Sequence, residues 1–240
     1  MEENSSEIYE KYFKALMEIS QVITSDHYLE DILKLIVMVT ARVTGVEICS
    51  LWMIEETKNH PILRLKTTQA IDLDYIKDRT LKMDEGVVGY VATRQKPLII
   101  KDVRKEPLFK EKEMAIKLGL ISMVSVPMKV GNNNIIGVLN CFTDNPHDFP
   151  QSEVNLITTV ANQAALAIHN TKLAVDASLI RKELESRKRV EKAKDIIIGR
   201  RNLSGDEAFR WIQKKSMDSR RSMREIADAI ILSEELSPSF

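Results

Sequence analysis

From Ser152 to Ile198 the chain runs without a glycine or a proline, through "SEVNLITTVANQAALAIHNTKLAVDASLIRKELESRKRVEKAKDIII". Glycine costs a helix interior about 1 kcal/mol and proline about 3, so a stretch free of both predicts one very long helix. Within it Leu173, Ala177, Ile180 and Leu184 alternate at steps of four and three, with Arg187 next, the spacing of a two-stranded seam. The seam is short and its alanine small. It is expected to hold a parallel homodimer only when extended by helices of the preceding domain. Such a helix divides the chain into what folds before it and what folds after it.

The charge divides at nearly the same place. The 240-residue chain is neutral, with 35 Lys and Arg against 35 Asp and Glu. Yet Arg181 to Arg224 holds 15 basic against 7 acidic residues, and the remainder 20 against 28. Asymmetry of this kind points to a nucleic-acid or membrane contact at the basic end. The longest apolar runs, such as Leu35 to Val39, are far too short to span a bilayer. No basic segment followed by an apolar one opens the sequence, so no export signal is expected. The two cysteines, Cys49 and Cys141, lie in apparent strands and read as buried reduced thiols of a cytoplasmic protein.

Before the long helix the pattern is mixed. "SEIYEKYFKALMEISQVI" and "YLEDILKLIVMVTARVTG" carry helical spacing, with Gly45 placed to end the second. "VEICSLWMIEE" is too densely apolar for one helical stripe and reads as a largely buried strand. "ILRLKTT" turns Leu63, Leu65 and Thr67 to one face of a second strand. A loop and helix are expected around Asp72 to Leu81. "DEGVVGYVATRQKPLIIKDV" follows as a short glycine-started helix running into an extended segment, and "ISMVSVPMKVGNNNIIGVLNCFT" as two β runs around a Gly-Asn turn. Gly86 and Gly89 lack the Lys and Ser/Thr of a phosphate loop and read as backbone positions at a helix start.

Three blocks, "GVVGYVATRQKPLIIKDV", "SVPMKVGNNNIIGVLNCF" and "DFPQSEVNLITTVANQAALAI", resemble the signature blocks of a GAF domain, over roughly Ile8 to Asn170. The resemblance implies a central antiparallel sheet with helices on one side and a loop-covered pocket on the other, in a dimer made by the domain's end helices. The pocket is expected to be floored by Leu63, Leu65, Val124, Val126 and Asn140 and covered by Val88 and Phe109. No cofactor is assigned to it. The N-K-F-D-E constellation of cyclic-nucleotide-binding relatives is absent and neither cysteine stands where tetrapyrrole-binding relatives place theirs, so the pocket's mostly apolar lining admits an unidentified small molecule or no ligand. His27, His60, His147 and His169 show no metal-ligand spacing. GAF-like enzymes that reduce free methionine sulfoxide gather cysteines at the pocket mouth, whereas this chain has two, each in a β run. No nucleophile with a base stands out, and an enzyme is not expected.

After the long helix, "SGDEAFRWIQKKSM" and "SMREIADAIIL" each open with a Ser-x-x-Glu capping box, Ser204 with Glu207 and Ser222 with Glu225. The first is expected to bury Ala208, Phe209 and Ile212, and the second Met223, Ile226, Ala227 and Ile230. With Val190, Ala193 and Ile197 from "RKRVEKAKDIII" they make a small three-helix core. "SMREIADAI" also resembles the start of a helix-turn-helix. Only the acidic "SEELSPSF" follows Leu232, which leaves no room for a recognition helix, so duplex DNA is not the expected partner.

The order Ala193-Lys194, "LSGDEAF", "KKSMDSRRSMREIA" resembles an ANTAR domain, the RNA-binding output of bacterial antiterminators, over about Arg187 to Leu232. The resemblance implies binding of paired, small-looped RNA hairpins, one per protomer, which keeps a terminator from forming. Lys194, Ser216, Arg220 and Arg221 match polar positions of that family, and Ala193, Ala208 and Ala227 its small packing positions. Arg200, Arg201, Arg210, Lys214 and Arg224 join the RNA-binding set on charge and expected exposure. The expected fold class is α+β, divided into a sensor domain at 1–170, a helical connector at 171–186 and an all-α RNA-binding domain at 187–240. The alternative is a dimeric signalling protein whose basic helices hold another protein or DNA.

Overall fold

The computed structural model describes residues 29–69, 79–131 and 134–236. The helix expected in "SEIYEKYFKALMEISQVI" and most of the one expected after Asp72 lie outside these residues. The described chain divides after Lys172 into two compact units.

In the first unit, α1 (Leu29–Thr44) buries Ile32, Leu33, Ile36 and Val37, one helical face, together with Thr40 and Ala41. The buried Thr40 hydroxyl donates to the Ile36 carbonyl at 2.7 Å, which meets the need of a polar group inside an apolar layer. Gly45 ends the helix with φ +71° and its N–H on the Ala41 carbonyl at 2.8 Å.

Six strands follow: β1 (Ile48–Glu55), β2 (Ile62–Thr68), β3 (Thr80–Lys82), β4 (Leu98–Ile100), β5 (Ser122–Val130) and β6 (Asn134–Thr143). They form one antiparallel sheet in the order β3-β2-β1-β6-β5-β4. Between them lie α2 (Gly86–Arg94) and α3 (Lys112–Lys117). Thr80 to Lys82 form a strand where a helix was expected, paired with Ile62 to Arg64.

Each strand sends alternate side chains to opposite faces, and both faces are covered. Cys49, Leu51, Val124, Val126, Met128, Leu139 and Cys141 meet the buried stripe of α1 and that of the long helix α4 (Gln151–Arg201). Trp52, Leu63, Leu65, Met123, Val138 and Phe142 meet α2 and the segments around Val103, Phe109 and Leu120. Burial on two faces explains why β1 and β5 read as nearly continuous apolar runs. Cys49 and Cys141 stand opposite each other on β1 and β6, both free and fully buried, with sulfurs 3.6 Å apart. Burial pushes the Cys49 thiol well up.

The second unit holds the C-terminal part of α4, α5 (Gly205–Ser219) and α6 (Met223–Glu235). Both capping boxes form, each serine accepting from the N3 amide while the N3 glutamate accepts from the N-cap amide. Val190, Ala193, Ile212, Ala227 and Ile231 make the core, and Ala208 is fully buried beside it. Phe209, expected inside, is 42% exposed, and Ile231 rather than Ile230 is buried in α6.

Gly137 faces the Trp52 carbonyl so closely that an added Cβ would overlap that backbone oxygen. Gly137→Ala is expected to force β1 and β6 apart and lower stability by about 1–3 kcal/mol, read as a reduced denaturation midpoint.

Candidate functional site

The first unit holds a cavity of about 30 Å³ between its sheet and its cover. Ser50, Trp52, Met123, Asn140 and Phe142 reach it from the strands, and Gly86, Val87, Val88, Phe109, Lys110 and Glu111 from above. Asn140, Val88 and Phe109 therefore line it as expected. Leu63 and Leu65 lie on the same face but are fully packed beside it. Val124 and Val126 do not floor it. Val126 pairs with Leu139 and Val124 with Cys141, so both point into the helix-covered core, and Met123 and Ser125 take the pocket face of β5.

The polar floor is buried and ordered. Ser125 Oγ donates to Asn140 Oδ1 at 2.7 Å, and Asn140 Nδ2 donates to Ser50 Oγ at 3.3 Å. Of the charged residues that line the cavity, Lys110 pairs with Glu85 at 2.5 Å and Glu111 pairs with Arg79. Lys110 holds the Glu85 carboxyl below its usual range, with help from the Lys82 amide. Among the described residues no cluster of three or more His, Cys, Asp or Glu is placed to hold a metal.

In the second unit the cations fall into two groups. One ties helices together. Arg200 pairs with Glu234 and donates to Ser233 Oγ at 3.3 Å, Lys192 pairs with Glu235 at 3.2 Å, and Arg189 reaches Asp228 at 3.6 Å. Arg224 sits 3.9 Å from both Glu185 and Asp228. Lys194 pairs along α4 with Glu191, whose hydrogen bond raises the lysine pKa. Asp228, Glu234 and Glu235 of α6 decide which basic residues of α4 are drawn into pairs.

The other group faces solvent on α5 and the turn after it. Arg210 and Lys214 are exposed on the side of α5 opposite the buried Ala208 and Ile212, with Met217 (71% exposed) on the same stripe. Arg220 and Arg221, both exposed, form the link to α6. Ser216 builds that link rather than projecting from it: its hydroxyl donates to the Arg221 carbonyl at 2.5 Å, and its own carbonyl accepts from the Arg221 amide at 3.1 Å. Arg220 occupies the left-handed region at φ +55°. The Arg201 guanidinium lies 4.7 Å over the Trp211 ring, with the Lys215 ammonium 5.8 Å away. Trp211 and Lys215 were outside the expected set, and their helical spacing of four was the available signal.

The seam residues Leu173, Ile180 and Leu184 are 53%, 66% and 52% exposed, and Ala177 is exposed with them. No helix among the described residues is long and apolar enough to cross a membrane.

The family model of the GAF domain matches residues 26–169, and that of the ANTAR domain residues 179–231. The chain belongs to the GAF–ANTAR family. This GAF–ANTAR chain is 30% identical over 132 residues to the Nif-specific regulatory protein of Herbaspirillum seropedicae, a match to 52% of the chain and 24% of that protein. It is 33% identical over 61 residues to the transcriptional regulatory protein PdtaR of Mycobacterium tuberculosis, 25% of the chain and 30% of that protein. The chain thus spans under a third of either curated relative. Among solved structures, the GAF domain of a phosphoenolpyruvate-protein phosphotransferase from Coxiella burnetii superposes with a TM-score of 0.59 at 24% identity, covering 70% of this chain and 98% of that one. GAF and ANTAR domains are regulatory domains.

The Ser216 geometry predicts that Ser216→Ala lowers the stability of the second unit by roughly 1 kcal/mol. The midpoint of Trp211 fluorescence in denaturant is the measurement; an unmoved midpoint would mean the hydroxyl does not hold the turn.

Proposed function

We propose that the GAF–ANTAR chain is a signal-responsive transcription antiterminator that binds RNA hairpins through α5 and the α5–α6 turn. The observation that carries this reading is the division of the cations. Arg189, Lys192, Arg200 and Arg224 pair with carboxylates of their own unit, whereas Arg210 and Lys214 on α5 and Arg220 and Arg221 in the turn are exposed with no carboxylate at ion-pair distance among the described residues. Exposed cations fixed on short, capped helices suit phosphate oxygens, which position a nucleic acid. Arg220 adds weight, since a non-glycine residue in the left-handed region costs about 1 kcal/mol or more, and such strain gathers at working sites. Arg200 and Arg224 of the expected set then act chiefly by holding the bundle, Lys194 by pairing along α4 with Glu191, Ser216 by holding the turn, and Arg201 by packing on Trp211.

The dimer enters through the exposed seam of Leu173, Ala177, Ile180 and Leu184. Two protomers paired there carry two ANTAR units, which engage linked hairpins of one transcript. The second engagement is intramolecular and raises apparent affinity without any new contact. A signal at the GAF cavity acts by favouring one arrangement of the paired helices over another.

Replacing Arg220 and Arg221 together by alanine is expected to weaken hairpin binding and flatten its salt dependence, by roughly one unit of slope per lost phosphate contact. Unchanged affinity and slope in a folded double variant contradict the assignment, and a wild-type preference for duplex DNA or for a protein contradicts the function. For the seam, Leu184→Lys is expected to remove the advantage of tandem over single hairpins in a filter-binding titration. Equal affinity for both RNAs before the change would show that only one site engages.

A further inference from the structure

Cys49 and Cys141 are the chain's two cysteines. The fold sets them directly opposite each other on β1 and β6, free and fully buried, with sulfurs 3.6 Å apart. Their backbones have the relation that a disulfide needs. The Cys49 N–H donates to Gln69 Oε1 at 2.9 Å, and the Cys49 carbonyl accepts from the Gln69 amide at 3.2 Å and from Thr68 Oγ1 at 3.0 Å. Both backbone groups of Cys49 are thus taken up on the β2 side. Toward β6 it makes the non-hydrogen-bonded kind of antiparallel pair, in which Cα atoms stand about 4.5 Å apart and side chains come closest. That separation lies within the ~4.4–6.8 Å that disulfides span. No slip of register is needed to bring the sulfurs to bonding distance.

The surroundings decide how the pair reacts. Val124 of β5 stands next to Cys141, and the apolar stripes of α1 and α4 cover the same layer. Burial raises the Cys49 thiol, and the thiol is a far weaker nucleophile than the thiolate, so the pair reacts slowly while the sheet is closed. Its place in the sheet supplies the opening. Cys49 is the second residue of β1, and Cys141 is the third from the end of β6. Gln69, whose side chain holds the Cys49 backbone, lines an open groove together with Val46 and Glu47, the residues that lead into β1. Strand ends of this kind open locally at a smaller cost than the whole domain.

We propose that Cys49 and Cys141 form an oxidation site, at which a small peroxide links them into a disulfide that ties β1 to β6 beneath α1 and α4. One sulfur, as its thiolate, attacks a peroxide oxygen; the O–O bond breaks, the leaving oxygen departs as water, and the sulfur becomes a sulfenic acid. The other thiol then attacks that sulfur, so that an S–S bond forms as the S–O bond breaks, and a second water leaves. With hydrogen peroxide, two thiols and one peroxide give one disulfide and two waters, and two electrons pass from sulfur to oxygen. The link joins residues 92 apart in the chain, and a cross-link closing so long a loop restricts the unfolded chain strongly. Both helices rest on this layer, so drawing the sulfurs together alters the surface beneath the helix that leads out of the GAF unit. The site lies wholly within that unit and does not depend on the RNA-binding reading.

The test uses the full chain, reduced, freed of reductant and exposed to hydrogen peroxide in native buffer, then quenched with catalase, unfolded in iodoacetamide and weighed intact. The expected product takes up no label at cysteine, runs as a single chain on a non-reducing gel, and on digestion yields a peptide pair joining Cys49 to Cys141. Dithiothreitol should restore both labelling sites, whereas it leaves in place the sulfoxides that peroxide also forms among the 10 methionines. The linked chain should melt several degrees higher in its GAF unit, and Cys141→Ala, with Cys49→Ala as the second variant, should show no such rise after the same treatment. The proposal is overturned if both cysteines still take label after hours in peroxide, if they go on to sulfinic acid or join separate chains, or if the disulfide forms only in denaturant. A melting midpoint that falls on linking, or that rises equally in the two variants, overturns it as well.

Discussion

Ala193, Ala208 and Ala227 are each fully buried where the three C-terminal helices meet. With no side chain longer than a methyl at those points, α5 and α6 lie close to each other, and α4 meets them through the side chains of the shared core. A core of Val190, Ile212 and Ile231 around the alanines is too small to fix a fold alone. The shared core sets the basic side of α4 opposite the acidic side of α6, so that the long side chains of Arg189, Lys192 and Arg200 reach Asp228, Glu235 and Glu234. Exposed ion pairs are individually weak; as a set they fix how α6 lies on α4. The two capping boxes then fix where α5 and α6 begin, and the Ser216–Arg221 hydrogen bonds fix the turn between them. Arg210 and Lys214 on the outer side of α5, and Arg220 and Arg221 in the turn, are exposed and take no part in these interhelical pairs.

The GAF unit obeys a different constraint. Its sheet is covered on both faces, so each strand must satisfy two environments at a two-residue period. One face is mainly apolar at its centre, where β1, β5 and β6 meet, and carries the cysteine pair. The other mixes Trp52, Phe142 and Met123 with Ser50, Ser125 and Asn140, and polar groups retained in such a layer must be matched or serve a ligand. Three of these polar residues match one another. The Trp52 indole nitrogen does not.

Much of this was legible in the sequence because it depends on local pattern. The absence of glycine and proline from Ser152 to Ile198 marked the helix that runs from Gln151 to Arg201, and Ser-x-x-Glu marked both short helices after it. The strands of β1, β2, β5 and β6 were visible as apolar density. Phase was not visible. "SMVSVPM" is apolar on both parities, so nothing in it said that Met123 and Ser125, rather than Val124 and Val126, share a face with Leu63 and Trp52. That was decided by register against β6, whose residues lie beyond the turn. Nor did the sequence separate the bracing cations from the outward ones, because that depends on which carboxylates of α6 come opposite which turn of α4. Phe209 was misplaced for a related reason: Ala208 and Ile212 alone fill the inward side of α5.

The claim that most of this account rests on is that the two groups of cations have different work. Two triple variants of the full chain test it most directly, Arg210, Lys214 and Arg221 to alanine in one, Arg189, Lys192 and Arg200 to alanine in the other, each measured for hairpin affinity and for the unfolding midpoint of the ANTAR unit. The account predicts that the first loses RNA binding with its midpoint in place, and that the second loses stability and regains wild-type affinity at temperatures where it is folded. If the folded second variant has lost the RNA while the first binds as tightly as wild type, the interface lies on the α4–α6 side and the account is wrong.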